Sequence, residues 1–310
     1  MRGLAPIALF AFRRPIHTRK TLEALQADPL AAKSDLTIYA DAAKTRAQEA
    51  DVREVRVLVR EPWRFGSVRV VERESNYGLS KSITQGVGEL CAGNGRVIVV
   101  EDDITVAPGF LRFMNDGLDR YEAEERVMQV SGYMYPGASR SKKAIFLPLT
   151  SCWGWATWRR AWNHYDPAAG GFDNLQTDAT LRRRFNLDGA YDYYGMLKHQ
   201  LGGKVDSWGV RWYLSVFLRD GLVLHPPVTL VENIGIDGSG THGGSPSELQ
   251  MRPATERAEM VSGLEFPLGI SVDEKEFARV KRMLHAFQPS LIRRLAWAGA
   301  ALARRSFLQS

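Results

Sequence analysis

Arg96-Val97-Ile98-Val99-Val100-Glu101-Asp102-Asp103 is the stretch whose reading decides the fold. Residues 97–100 are all β-branched and apolar, with no polar residue alternating among them. A short run of that kind reads as a strand buried on both faces of a parallel sheet. Open α/β sheets bind their ligands beyond the carboxyl ends of the strands. Here that end carries three adjacent carboxylates, which repel one another and lose solvation. They stay ionised cheaply only beside a cation, and hard divalent cations prefer oxygen ligands. The plain alternative is a solvated acidic turn.

Working upstream, residues 6–12 (Pro-Ile-Ala-Leu-Phe-Ala-Phe) read as a buried first strand. Arg13-Arg14-Pro15 follows, then a helix over 20–27 with Thr18 as its cap and Leu22 and Leu25 on one face. Residues 36–40 read as a second strand ending at Asp41, and 68–71 as a third. Glu74-Ser75-Asn76-Tyr77-Gly78-Leu79-Ser80-Lys81 is a turn feeding a helix through Ile83 and Val87. This alternation predicts a parallel sheet with helices on both faces.

Downstream, Pro108-Gly109 opens a helix rich in apolar side chains, and 127–132 read as another strand. Residues 136–143 are a Gly/Ser/Lys-rich loop. An aromatic block follows at 151–158, with Trp162 just beyond it. Residues 165–200 read as a helical insertion, 210–218 as an amphipathic helix and 222–226 as a late strand. Residues 233–242 are a Gly-rich polar loop. Residues 246–270 read as a linker, and 277–287 and 291–307 as helices. The expected organisation is one domain over 1–245, with halves at about 1–130 and 131–245, and a linker plus helical tail over 246–310.

Composition narrows the class. The 310 residues, 45% of them apolar, suffice for a large core. Cys91 and Cys152 give neither a disulfide framework nor a zinc spacing, which fits a reducing compartment. No signal peptide is expected, and no apolar run is long enough to span a bilayer. A cytoplasmic location follows as the expectation. The formal charge of +6 is concentrated toward the C-terminus and in Arg182-Arg183-Arg184. That balance suits anionic lipid, phosphorylated substrates or nucleic acid. No zinc-finger spacing or aromatic RNA-binding signature is present, so no nucleic-acid partner is expected.

The ordered set of first strand, Asp41, Asn76-Tyr77-Gly78-Leu79, Glu101-Asp102-Asp103, Trp153-Gly154-Trp155, Val205-Asp206-Ser207-Trp208 and Gly240-Thr241-His242 resembles the GT-A class of nucleotide-sugar-dependent glycosyltransferases. It is most similar to the family-2-type enzymes and the N-acetylglucosaminyltransferase I family, over residues 5–245. The resemblance implies a Rossmann-like, mixed, mainly parallel sheet flanked by helices. It implies inverting, Mn²⁺- or Mg²⁺-dependent transfer from a nucleotide-sugar to a glycan or lipid-linked acceptor, as in bacterial surface polysaccharide synthesis.

Residue roles carry over from the resemblance. Asp103 would ligate the metal, Asp102 would face the sugar or ribose, and Glu101 would shape the site. The metal would hold the diphosphate and stabilise the leaving group. Asp41 would contact the nucleobase. Phe10, Arg13, Asn76, Gly78, Leu79 and Lys81 would lie near the nucleotide, the last four where a helix start favours anions. Asp41, Asn76 and Gly78 read equally well as turn residues. Trp153, Gly154, Trp155 and Trp208 would form the acceptor side of the sugar pocket, since aromatic rings stack on flat apolar sugar faces. Trp155, Trp158 and Trp162 stand at helical spacing, and Trp158 and Trp162 are expected in the core.

Asp206 is the candidate general base, taking the proton of the acceptor hydroxyl. Partial burial beside Trp208 would raise its pKa toward a useful value, and capping of the following helix is the compatible alternative. This chain has Asp206 followed by Ser207 where the resembling family has paired acids, so Asp192 and Asp237 stand in reserve. His242 would be a metal ligand or a diphosphate contact from a loop ordered by ligand. Arg211 pairs with a substrate phosphate or with a neighbouring acid.

In the tail, Leu291, Leu295, Ala298 and Leu302 form a stripe opposite Arg293 and Arg304. That reads as a helix lying on an anionic membrane surface, or as one packed on the domain or a second copy. Two other functions compete. A sugar nucleotidyltransferase would carry a Gly-rich, basic loop after strand one, and Phe12-Arg13-Arg14-Pro15 lacks the glycines. A non-catalytic glycan-binding protein on the same fold would have no need of intact acids.

Overall fold

The computed structural model describes residues 3–137, 142–203, 206–236 and 264–287. In its first half, apolar runs become the strands β1 (Ile7–Ala11), β2 (Asp35–Ala40), β3 (Ser67–Glu72) and β4 (Arg96–Glu101). Three helices link them: α1 (Pro15–Gln26), α2 (Glu49–Leu58) and α3 (Gly78–Asn94). Pro15 starts α1 at the position where a missing N–H costs nothing. Gly95 ends α3 in the left-handed region, φ 78°.

The first half is all parallel. β1 lies between β2 and β4, and β3 is the outer strand beside β2. Val97 to Val100 have no exposed surface, as the unalternating run predicts. Their side chains divide between two cores. Ile98 and Val100 join Leu9, Leu22 and Leu25 beneath α1, while Val97 and Val99 join Ile83 and Val87 beneath α3.

The second half adds β5 (Ile104–Val106), α4 (Phe110–Arg120), β6 (Val127–Ser131), β7 (Ile145–Leu147) and β8 (Trp155–Trp158). The helices α5 (Arg159–Trp162), α6 (Phe172–Thr177), α7 (Ala179–Phe185), α8 (Tyr193–Leu201) and α9 (Trp208–Phe217) follow. Then come β9 (Leu222–His225), β10 (Val231–Asn233) and α10 (Glu274–Phe287). The eight-stranded sheet runs β3-β2-β1-β4-β8-β6-β9-β7. Only β8 and β7 run against the rest, so this is a mostly parallel mixed sheet flanked by helices, a Rossmann-like α/β fold.

Two expectations need correction. Trp155 to Trp158 form a strand, although the tryptophan spacing reads as helical. β8 is inserted between β4 and β6 and buried on both faces, so tertiary pairing overrides a three-residue coincidence. The boundary at 245 also does not end the domain. Residues 264–287 pack back on it: Phe266 stacks on Phe113 at 5.7 Å, the Tyr121 hydroxyl donates to the Pro267 carbonyl at 2.7 Å, and Val280 is fully buried. The expected tail helix over 291–307 lies outside the described residues. Among the described residues, no helix is long and apolar enough to cross a membrane.

Candidate functional site

Parallel register brings three chain segments to one edge of the sheet. Phe10 pairs with Tyr39 on one side and Glu101 on the other. The residues that follow, Phe12 to Arg14, Asp41, and Asp102 and Asp103, therefore leave the sheet together at its carboxyl edge.

The cation that the acid triplet requires is supplied by the chain itself. Arg14 Nη2 lies 2.6 Å from Asp102 Oδ1 and 2.9 Å from Asp103 Oδ2. The Phe12 N–H donates to Asp102 Oδ2 at 3.2 Å, and the Thr21 hydroxyl donates to the Asp102 carbonyl at 2.9 Å. Burial pushes the Asp102 carboxyl above its ordinary value, and Arg14 pulls it part of the way back. Glu101 is raised well above the usual carboxylate range, first by burial and then by the charges of Asp103 and Asp102. Arg14 itself is raised: burial opposes its charge, and the two aspartates outweigh that.

Arg13 is the arginine expected at this edge. Arg13 makes no ion pair among the described residues, and Arg14 is the one that turns inward. The signal that picks out Arg14 is its place before Pro15, which disfavours the helical conformation and leaves it at φ −121°, ψ 76°, outside the helix.

Immediately past the triplet, β5 and β10 form a two-stranded antiparallel ribbon. It ends with the Ile234 N–H donating to the Asp103 carbonyl at 2.8 Å. A Cβ on Gly235 would stand 2.2 Å from Asp103 Oδ2 and 2.7 Å from Arg14 Nη1. Only glycine allows the chain to pass so close, and sequence reasoning did not single it out. His242 and Asp237 lie outside the described residues.

Among the described residues, no three His, Cys, Asp or Glu side chains converge as a ready metal cage. Asp103 Oδ1, however, makes no hydrogen bond among the described residues, since Arg14 takes only Oδ2. One carboxylate with a free oxygen suits an octahedral cation that keeps its waters and borrows phosphate oxygens from a substrate. A cation held there would need its other ligands from water or from a bound molecule.

Asp41 is a clasp rather than a base contact. Its Oδ1 accepts from the N–H groups of Ala42 and Tyr77, each at 2.9 Å. Its Oδ2 accepts from the Gly78 N–H at 3.0 Å and the Asn76 amide at 3.1 Å. Four donors fill the four acceptor sites of a carboxylate and leave none for a nucleobase. Asn76 also donates to the Ala42 carbonyl at 2.8 Å. Gly78 adopts φ +73°, and the clasp so formed fixes the start of α3. Leu79 and Lys81 remain exposed there, with Lys81 Nζ 4.0 Å from the Tyr77 ring centroid. Phe10 is corrected too: it is buried, stacked on Tyr39 at 5.1 Å beneath Gly86 of α3, so its ring belongs to the core.

Most of the aromatic block is also core. Trp155 and Trp208 stack at 5.1 Å, with Trp162 and Trp212 against Trp155, and all four are buried. No ring face of Trp155 or Trp208 is left for a sugar. Trp153 is half-buried, edge-on to Tyr133 at 4.8 Å. Gly154 has φ +55°, and a Cβ there would strike Val231 of β10 at 2.7 Å. Its role is to let β8 pass the ribbon.

Asp206 lies just before α9 and is exposed, contrary to the partial burial expected of it. Its Oδ2 accepts from the Ser80 N–H in the first turn of α3 at 3.4 Å. The α9 cap is Ser207, without a side-chain hydrogen bond, so Asp206 does not serve there. Asp206 faces a cleft of about 350 Å³ together with Tyr77, Lys81, Tyr165 and Arg211. Of the reserve candidates, Asp192 caps α8, accepting from the Gly195 N–H at 3.0 Å. Cys152 packs against the start of α9. Its sulfur would be 2.5 Å from a Cβ on Gly209 of α9, and its thiol is raised by burial and then by the charge of Glu101.

No family model matches the chain, and no curated protein matches it.

Proposed function

We propose that this chain is a metal-dependent, inverting glycosyltransferase that moves a sugar from a nucleotide-sugar to a glycan or lipid-linked acceptor. The observation that carries the reading is Arg14 bridging Asp102 and Asp103 at the carboxyl edge of β1 and β4, where α/β sheets bind ligands. Both bonds run from Nη2, so among the described residues Nη1 and Nε of Arg14 remain for the oxygens of a diphosphate. Asp103 would hold a divalent cation through Oδ1, which makes no hydrogen bond among the described residues, and such a cation would supply charge stabilisation for a departing nucleoside diphosphate. Asp102, held by Arg14 and the Phe12 N–H, orients the donor.

Asp206 takes the proton of the acceptor hydroxyl. That oxygen forms the new bond to the anomeric carbon while the carbon's bond to the diphosphate oxygen breaks. Asp206 suits the task because it is accessible and makes no ion pair among the described residues. The Asp41 clasp holds the α3 turn, and with it Ser80, against Asp206. The reading extends to a chain working at the cytoplasmic face of a membrane, where lipid-linked acceptors present their head groups.

Calorimetric titration of UDP-, GDP-, CMP- and dTDP-sugars, with Mn²⁺, with Mg²⁺ and with EDTA, tests the reading. One donor is expected to bind with metal and to be lost in EDTA and in Asp103→Ala. Absence of binding to every donor under every metal would overturn it.

A further inference from the structure

We propose that the cleft beside Asp206 is an acceptor subsite built for an oxyanion: the acceptor carries a phosphate or carboxylate close to the hydroxyl that is glycosylated. The inference rests on the reading of Asp206 as the base.

Three observations carry it. First, the charged side chains that face the cleft are Lys81, Arg211 and Asp206, two cations against one carboxylate. Neither cation forms an ion pair with Asp206 or with any other described carboxylate, whereas the Arg14, Arg19, Arg60 and Arg69 guanidiniums are each paired. Second, the cleft holds polar atoms in want of a partner. Arg211 Nε is buried without one, and the Tyr165 hydroxyl lies beside Arg211 and Ser80 without a complete hydrogen bond to either. Buried donors left unmade cost free energy that a ligand oxygen recovers. Third, a further cation stands behind the cleft. Arg73 lies 4.7 Å from the centroid of the same Tyr77 ring that carries Lys81 at 4.0 Å, and its Nε and one Nη are also buried without partners. The carboxylate that feels the charge of Arg73 is Glu89, which is held on Tyr39 and does not line the cleft, so the cations beside the Tyr77 ring favour an anion there.

The anion is not the donor's diphosphate. Arg14, Asp102 and Asp103 do not line this cleft, which lies between α3, α9 and the turn at Tyr165 and Pro167. A guanidinium fork matches phosphate and carboxylate oxygens in pairs, and Lys81 adds a point charge at the mouth. Beside them Asp206 meets a neighbouring hydroxyl of the same acceptor.

Titration of the full chain with glucose, glucose 6-phosphate and glucuronate, in parallel with UDP and GDP, tests the proposal. Binding of at least one anionic sugar is expected, at least tenfold tighter than glucose and weakened by added NaCl. The two anionic probes distinguish phosphate from carboxylate. Arg211→Gln and Lys81→Gln should each weaken that sugar at least fivefold, with Arg211→Lys recovering part of the loss. Arg14→Gln should weaken the nucleoside diphosphate instead. Equal binding of glucose and the anionic sugars, no effect of either cleft variant, or displacement of the nucleoside diphosphate by the anionic sugar would overturn the proposal. Loss of nucleoside diphosphate binding alone, with the anionic sugar still held by Arg211, would count against the transferase reading and leave the anion site standing.

Discussion

Arg14 Nη2 stands 2.6 Å from Asp102 Oδ1, and both side chains are largely withdrawn from water. The pair binds the turn after β1 to the turn after β4, so the carboxyl edge of the sheet is closed by a charge contact. Removing the cation leaves Asp102 buried and uncompensated. Arg14→Ala is expected to cost about 3 kcal/mol, in line with a broken buried pair, measurable by urea unfolding. Asp102→Asn in the Arg14→Ala background should restore part of that loss, because the stranded charge is gone.

Glu101 makes the stability of the fold sensitive to pH. Its folded-state pKa is raised above the ordinary 4.5, by burial and by Asp103 and Asp102. The folded state therefore holds its proton at a pH where the unfolded chain has lost it. Stability falls as pH rises from about 4.5 toward the folded pKa. In EDTA, the stability advantage of Glu101→Gln over wild type should grow between pH 5 and pH 8. A constant difference across that range would rule out this role.

At Gly235 the limit is steric. A Cβ would be 2.2 Å from Asp103 Oδ2, so Gly235→Ala must displace the carboxylate or the ribbon. The expected cost to stability is about 1–3 kcal/mol, as for overpacking elsewhere. Nucleotide binding should suffer more than thermal stability alone accounts for. Measured side by side, unchanged metal-dependent binding in Gly235→Ala would show that the close approach has no part in the site.

Asp41 separates a structural role from a recognition role. Asp41→Ala strips the N–H groups of Tyr77 and Gly78 of their acceptor, at an expected cost of about 2–3 kcal/mol from lost capping and unpaired donors. The ratio of affinities for UDP and GDP should stay as in wild type. A change in that ratio would return Asp41 to the nucleobase.

The sheet could be read from sequence because its strands are local and uniform. Residues 7–11 and 97–100 are apolar without alternation, and 36–40 depart from that only at the buried Thr37; burial on both faces is what such a pattern means. Asp41 and the acid triplet were placed correctly at strand ends for the same reason. What escaped the sequence depends on neighbours distant in the chain. Trp155 to Trp158 look helical until β4 and β6 are seen on either side. Phe10 and Trp208 carry no mark that separates a core ring from a sugar platform, and both are core. Arg14 and Arg13 differ only in which of them precedes proline. Gly235 matters through an approach to Asp103 across more than a hundred residues.

The most direct test of the central claim is the release of nucleoside diphosphate from the donor that binds, with metal and acceptor present, in wild type and in Asp206→Asn. The account predicts donor binding unchanged in Asp206→Asn and turnover lowered by at least a hundredfold, in the range that general base catalysis contributes. Wild-type turnover in Asp206→Asn would contradict it and remove Asp206 from the chemistry.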